Sequence, residues 1–366
     1  MNIFVGFDFY GAGNIGDDLM LDGFLKGSPD LTKHRIVCII PRDINSQQFR
    51  FPQIQWVKQK GPEIRADYIA ESDVWLGIGD TPFQINSGFW FIHKMLSDIE
   101  ITKRFQIPIY MVGVGGENEV KIIKHKLQDI LNNIRHVWTR DTFTHDLLVK
   151  ELGMHQQNVT IGSDLANIEL SKIFESTIPC NQRNYELMVD YYNEKIINKD
   201  IIQLRDFIKH VAKKERVLFA ANETRRKGNF EWRIYNTMFG GFKSLFSRPK
   251  VAFYAPEYSG TSTKDLVIHF QNYKTVMSSR YHTILAAAWA GCRVVALSRS
   301  SKINALAADL DIPVISEPCT FTKFKNGYES ATCISREKLD GLKIKASLCL
   351  SEFWKLIAKG SLLLEQ

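Results

Sequence analysis

Short runs of consecutive apolar residues, each ended by glycines or polar residues, alternate along the chain with longer stretches whose apolar positions recur every three or four residues. The first pattern reads as strands buried on both faces, the second as amphipathic helices. In the first half the predicted strands are Ile3–Phe7, His34–Ile40, Gln53–Val57, Val74–Ile78, Ile107–Val114, His136–Thr139 and Val159–Ile161. Helices are expected from near Ile15 and at Ile64–Glu71, Phe89–Phe105, Val120–Leu131 and Asp141–Leu152, the last closed by Gly153. From Leu170 to Arg183 the periodicity weakens around Pro179, Asn181 and Gln182, which marks an inter-domain crossing. The pattern then restarts. Strands are predicted at Leu187–Tyr191, Val217–Ala221, Val251–Tyr254, Thr275–Met277, Arg293–Leu297 and Pro313–Ile315, and helices at Ile201–Val211, Trp232–Phe239, Lys264–Phe270, Thr283–Ala290 and Ile303–Leu310. Thr320–Ala331 reads as an irregular loop, and Leu342–Leu364 as a helix with one greasy face. Two series of strand–loop–helix units predict an α/β protein of two Rossmann-like parallel-sheet domains, residues 1–170 and 184–366, facing across a cleft. The apolar face of the last helix has two candidate covers: the first domain, which is preferred, or a membrane surface.

Composition narrows the function class. A chain of 366 residues suits two ordinary domains, and 45% hydrophobic against 24% charged residues is a globular balance. The net charge of +7 suits an anionic substrate or a lipid surface as well as nucleic acid. None of the nucleic-acid recognition signatures appears, so no nucleic-acid partner is expected. Six cysteines are scattered without metal-ligand spacing, so neither a metal site nor a disulfide framework is expected, and Cys38 and Cys292 read as buried thiols. No run reaches the roughly 18–20 apolar residues that span a bilayer. The chain opens directly on a strand, so a cytoplasmic location is expected, with association at the inner face of the membrane as an option.

Candidate chemistry gathers where predicted strands end. Gly11, Gly13 and Gly16 follow the first strand, Gly77 and Gly79 the fourth, and Gly113, Gly115 and Gly116 the fifth. The first set matches a dinucleotide-binding spacing. However, Asp17 and Asp18 would then lie where a pyrophosphate sits, and Val37–Ile40 is followed by Pro41 and Arg42 instead of an acidic residue. First-turn stabilisation of the helix dipole explains Asp17 and Asp18 as well as a substrate role does. In the second half, Val276–Leu297 reads as strand, polar turn, small-residue helix and strand. Arg280 and His282 fall at the carboxyl end of that strand and the start of the helix, where open α/β sheets bind ligands and helix N-termini favour anions. A guanidinium and an imidazole so placed can grip a phosphate or carboxylate. The alternative is an internal ion pair for Arg280 and a capping role for His282.

Several segments, in order, resemble the polysaccharide pyruvyl transferase family: Gly11–Leu19, Ile107–Gly116, Val137–Gly153, Ser278–Gly291 and Ser298–Pro313. The resemblance implies a GT-B-like fold and transfer of pyruvate from phosphoenolpyruvate onto sugar hydroxyls of a cell-surface glycan or its lipid-linked precursor, with no cofactor beyond that donor. It assigns Arg280 and His282 to the donor, with Ser279 and Lys302 beside them. Where the family often has a basic residue near the first strand of its C-terminal domain, Met188–Asn193 offers none, and Arg225 or Arg226 of the next loop is the stand-in. Asn14, Asp17, Asp80 and Asp164, on loops of the first domain, are candidates for acceptor hydroxyls or a base, each with loop capping as its simpler role. A glycosyltransferase using a nucleotide sugar is the rival within the same architecture.

Overall fold

Two seven-stranded sheets account for the alternation of apolar runs. They are seen in a computed structural model that describes residues 1–40, 44–86, 88–192, 198–221, 230–240, 251–256 and 261–364. The first sheet comprises β1 (Asn2–Val5), β2 (Arg35–Ile40), β3 (Gln55–Lys58), β4 (Val74–Ile78), β5 (Ile109–Val114), β6 (Ile134–Thr139) and β7 (Val159–Ile161). Its spatial order is β3-β2-β1-β4-β5-β6-β7, parallel throughout. The second sheet contains β8 (Tyr185–Asp190), β9 (Val217–Ala220), β10 (Val251–Tyr254), β11 (Tyr273–Ser278), β12 (Arg293–Leu297), β13 (Val314–Ile315) and β14 (Thr332–Cys333). It runs β10-β9-β8-β11-β12-β13, with β14 antiparallel on β12. In each sheet the strand order reverses once, between β1 and β4 and between β8 and β11. Ligands in open α/β sheets bind beyond the carboxyl ends of the strands at such a switch point.

The chain divides into two units that do not follow a single cut. One unit holds Met1–Gly11, Asp17–Glu169 and Asp340–Gln366, the other Ala12–Gly16 and Leu170–Leu339. The change-over near residue 170 falls inside the helix Ala166–Ile173, at the start of the stretch where periodicity weakens.

In the first unit, strands buried on both faces explain the continuous apolar runs: Ile3, Phe4, Val5, Leu76, Ile78, Val112 and Val114 are all fully buried. Inside it Arg65 and Asp98 form a buried, hydrogen-bonded ion pair, as their desolvation requires. Arg65 donates from Nε to Asp98 Oδ1 at 2.7 Å and from Nη2 to Gly6 O at 2.7 Å, while Trp75 Nε1 donates to Asp98 Oδ2 at 3.0 Å. The long helix Arg336–Leu364 contributes Ala346, Cys349, Leu350, Phe353 and Ile357 to this unit's core. Trp354 stacks on Phe24 and His34, and its Nε1 donates to Ser28 Oγ at 3.0 Å. The part of that face formed by Ala346, Leu350, Phe353, Trp354 and Ile357 is therefore covered by protein, while Leu356 is exposed. The side chains of Leu362–Leu364 lie outside the described residues. No helix among the described residues is long and apolar enough to cross a membrane.

The irregular loop expected at Thr320–Ala331 is instead the helix Phe321–Glu329. Thr320 caps it by accepting from Lys323 N at 3.2 Å, and Phe321, Phe324 and Tyr328 pack around Phe207. Lysines, Asn326 and Gly327 dilute that apolar spacing, and the stabilising partner lies more than a hundred residues away. The helix Asn45–Arg50 carries a single apolar residue, Phe49, and in Ala166–Ile173 the apolar residues Ala166, Ile168 and Leu170 alternate instead of following helical spacing, so the pattern marks neither. All six cysteines are free, with Cys38 and Cys292 buried.

Candidate active site

The switch point of the second sheet collects the densest polar chemistry of its unit. Register pairs Ser278 at the end of β11 with Asp190 at the end of β8. Asp190 is fully buried, and its Oδ2 accepts from Thr283 Oγ1 at 2.8 Å and Ser278 Oγ at 3.4 Å. Ser279 N donates to Asp190 O at 3.0 Å, and Ser279 Oγ accepts from Tyr192 N at 2.7 Å. Ser279 is thus a buried splice between β8 and β11. These bonds fix the turn from which the helix Tyr281–Trp289 starts, with Arg280 at its N-cap position in an extended conformation. Ala286, Ala287 and Ala288 are buried, and their small side chains let that helix lie close on the sheet.

Arg280 is held from several sides. Its backbone N–H donates to Ser278 Oγ at 2.9 Å, and its guanidinium sits 4.5 Å from the centroid of the Tyr192 ring. Its Nε donates to Glu231 Oε1 at 2.6 Å, its Nη2 also reaches Oε1, and Asp190 Oδ1 is 3.8 Å from Nε. The internal pairing weighed for Arg280 is therefore present. Glu231 opens the helix Phe230–Phe239 and is 1% exposed. Burial pushes its carboxyl up to about 7, against the pull of Arg280 and with Asp190 adding to the rise. A second guanidinium, that of Arg299 just past β12, also lies 4.5 Å from the Tyr192 ring. One aromatic ring therefore carries two cations drawn from the ends of adjacent strands, each attracted by its π face.

His282 is half-buried on the first turn of the helix, with its ring edge-on to Tyr281 at 5.1 Å. Gly16, which groups with this unit, passes so close that a Cβ there would lie 1.9 Å from His282 Nδ1. Asn14 shapes the same short segment by accepting from Gly16 N at 3.1 Å. Lys302 is half-buried in the helix Ser301–Leu310. Arg225 and Arg226 lie outside the described residues.

The other candidates belong to the first unit. Asp17 is buried in the first turn of the helix Ile15–Gly27. Its neighbour Asp18 accepts from Gly11 N at 2.5 Å and pairs with Arg50 at 2.5 Å, which makes Asp18 a loop clasp. Asp80 is half-buried at a φ of 63°, and its carbonyl accepts from Gly115 N at 2.8 Å. Asp164 starts the helix Ala166–Ile173 by accepting from Ala166 N at 2.9 Å, and its Oδ2 is 3.8 Å from Arg140 Nη1. Arg140 is a buried cation that the sequence pattern does not single out. It donates to Thr81 Oγ1 at 3.2 Å and fills the space a Cβ at Gly115 would take, so the glycine-rich exits of β4 and β5 are built around a guanidinium.

Asp190, Tyr192, Glu231 and Arg299 complete the second-unit cluster and were not marked in the sequence. Their signal is the strand order β9-β8-β11-β12, which no local pattern encodes. With phosphate-sized anions in view, the cluster offers two guanidiniums, an imidazole and a carboxylate able to change charge near neutral pH.

Residues 14–301 match the model of the family described as polysaccharide pyruvyl transferase. Among curated protein sequences, none matches. Solved structures share the fold. The UDP-GlcNAc 2-epimerase of Methanocaldococcus jannaschii superposes with a TM-score of 0.63 at 11% identity, over 97% of this chain and 99% of that one. The UDP-N-acetylglucosamine 2-epimerase of Rickettsia bellii gives 0.62 at 14%, over 98% and 95%. A glycosyltransferase of Rickettsia africae gives 0.54 at 12%, over 99% and 97%. At these identities the likeness is one of fold, a GT-B-like assembly of two parallel-sheet α/β domains.

Proposed function

We propose, for a chain that belongs to the polysaccharide pyruvyl transferase family, that it transfers pyruvate from phosphoenolpyruvate to two hydroxyls of one sugar, as a cyclic ketal. The observation that carries this reading is Arg280 and His282 at the switch point of the second sheet, inside the family-matched stretch and beside a second guanidinium. The acceptor is a cell-surface polysaccharide or its lipid-linked precursor, met in the cytoplasm. In this reading the second unit is the donor side and the first the acceptor side.

The chemistry sets what the residues must do. A general acid delivers a proton to the methylene carbon of phosphoenolpyruvate, leaving an oxocarbenium-like carbon that one sugar hydroxyl attacks. The second hydroxyl forms its bond to the same carbon as the bond to phosphate breaks. One hydroxyl proton restores the acid and the other leaves with phosphate. Arg280 cannot act as the acid, because a guanidinium does not release its proton in this pH range. Its role is to hold phosphate or carboxylate and to stabilise charge on the leaving group. His282 is the group placed to move a proton or to contact phosphate. Ser279 holds the turn that aims Arg280, and Lys302, Arg225 and Arg226 are further cations for the donor. Asp17, Asp80 and Asp164 of the first unit, with Asn14 of the second, are assigned to acceptor hydroxyls or to a base.

Donor binding tests the reading. Phosphoenolpyruvate at about a hundred times its Kd should stabilise the protein by about 2.7 kcal/mol, read as a rise in Tm, while UDP and UDP-GlcNAc should leave Tm unchanged. The reverse pattern would assign a nucleotide-sugar donor to the same cations.

A further inference from the structure

Glu231 and an anionic donor compete for the same guanidinium. Glu231 Oε1 takes both Nε and Nη2 of Arg280, and Asp190 Oδ1 stands 3.8 Å from that Nε. Glu231 Oε2 is buried with no hydrogen-bond partner among the described residues. Two ionised carboxylates beside Arg280 oppose a phosphate at that guanidinium, although Arg299, on the same Tyr192 ring, supplies a second cation to the cluster. Thr283 and Ser278 already donate to Asp190 Oδ2, at 2.8 Å and 3.4 Å. Glu231 has an unpartnered oxygen on which a proton can rest.

We infer that Glu231 is a further donor-site residue: it holds Arg280 until a donor binds and exchanges that ion pair for a proton when the donor phosphate or carboxylate takes its place. The inference rests on the donor assignment above. The described charged groups that face Glu231 are Arg280 beyond β11 and Asp190 at the end of β8. On its own helix the other charged residue is Arg233, which is exposed. Burial already brings the Glu231 carboxyl to about 7 while it is paired with Arg280, and a bound anion would raise it further. The sign follows from linkage. At a pH between the value with the ion pair in place and the higher value in the donor complex, binding takes up a proton, so donor affinity falls as pH rises.

The test is calorimetric titration of phosphoenolpyruvate into the full-length protein at pH values from about 7.5 to 9, above the donor phosphate's own second ionisation near about 6. Buffers of contrasting ionisation enthalpy count the protons. Wild type should take up close to one proton per donor and lose about tenfold in affinity per pH unit. Glu231→Gln should take up none from this group and hold a flat affinity, and His282→Gln should keep the uptake. Binding with no proton uptake in wild type, or unchanged uptake and slope in Glu231→Gln, overturns the exchange and leaves the donor assignment standing. No binding of phosphoenolpyruvate at any pH overturns both. Should Glu231→Gln fail to fold, the wild-type proton count with the His282→Gln comparison still decides.

Discussion

Arg280 is paired with Glu231, and in the proposed reaction the same guanidinium becomes the ligand of an anion. A guanidinium–phosphate contact in a partly desolvated site contributes about 2–4 kcal/mol to the transition state. Arg280→Ala should therefore lose on the order of a hundredfold in kcat/KM. Arg280→Lys should recover little, because an ammonium cannot reproduce the fork. His282→Ala should cost a similar factor if the imidazole moves a proton and less if it only touches phosphate, and the kcat–KM split separates the two. Wild-type kinetics in both alanine variants, with folding intact by circular dichroism, would remove both residues from the mechanism. Arg280 and His282 were legible because they adjoin in sequence at a strand-to-helix turn. Glu231, Asp190, Tyr192 and Arg299 were not, since each is an ordinary strand-end or helix-start residue until the sheet order brings them together. Asp18 shows the opposite failure. Its place in a glycine-rich loop looks functional, yet its hydrogen bonds to Gly11 and Arg50 occupy it structurally.

Elements were legible where both faces of a strand are buried or where a helix carries a continuous apolar stripe. They were missed where the stabilising partner is distant, as Phe207 is for the helix Phe321–Glu329. Close approach of elements gives a sharper test than burial alone. A Cβ at Gly23, within the helix Ile15–Gly27, would lie 1.9 Å from the backbone oxygen of Leu165, so Gly23→Ala must push helix and loop apart. A Tm drop of several degrees is expected, in line with a cost of about 1–3 kcal/mol for overpacking. Gly341, in the helix Arg336–Leu364, meets nothing within 4 Å, and Gly341→Ala should instead stabilise by about 0.5–1 kcal/mol. The same helix places Phe353, fully buried, among Phe24, Tyr110 and Trp138. Phe353→Ala should cost about 3–5 kcal/mol in chemical denaturation. A cost below 1 kcal/mol would mean that the helix does not stay docked on the first unit's core in solution.

On the scale of the whole molecule, the chain leaves its first unit near residue 170, builds the second, and returns at Asp340 to finish the first. The two series of strands are visible in sequence because each is a local alternation. The return is anticipated only through the apolar face of the last helix, which needs a cover, and the assignment of Ala12–Gly16 is not visible, because it depends on which core a short segment joins. A net charge of +7 fits a protein whose donor is anionic. The fold alone is shared with sugar-nucleotide epimerases and a glycosyltransferase, so the donor is the claim on which the functional account turns. Its most direct measurement is phosphate release on mixing the wild-type protein with phosphoenolpyruvate and a panel of saccharides, with the sugar product examined for a pyruvate ketal. The account predicts release that depends on one class of saccharide and matches the ketal formed mole for mole. No release with phosphoenolpyruvate, together with release of a nucleoside diphosphate from a nucleotide sugar, would contradict it.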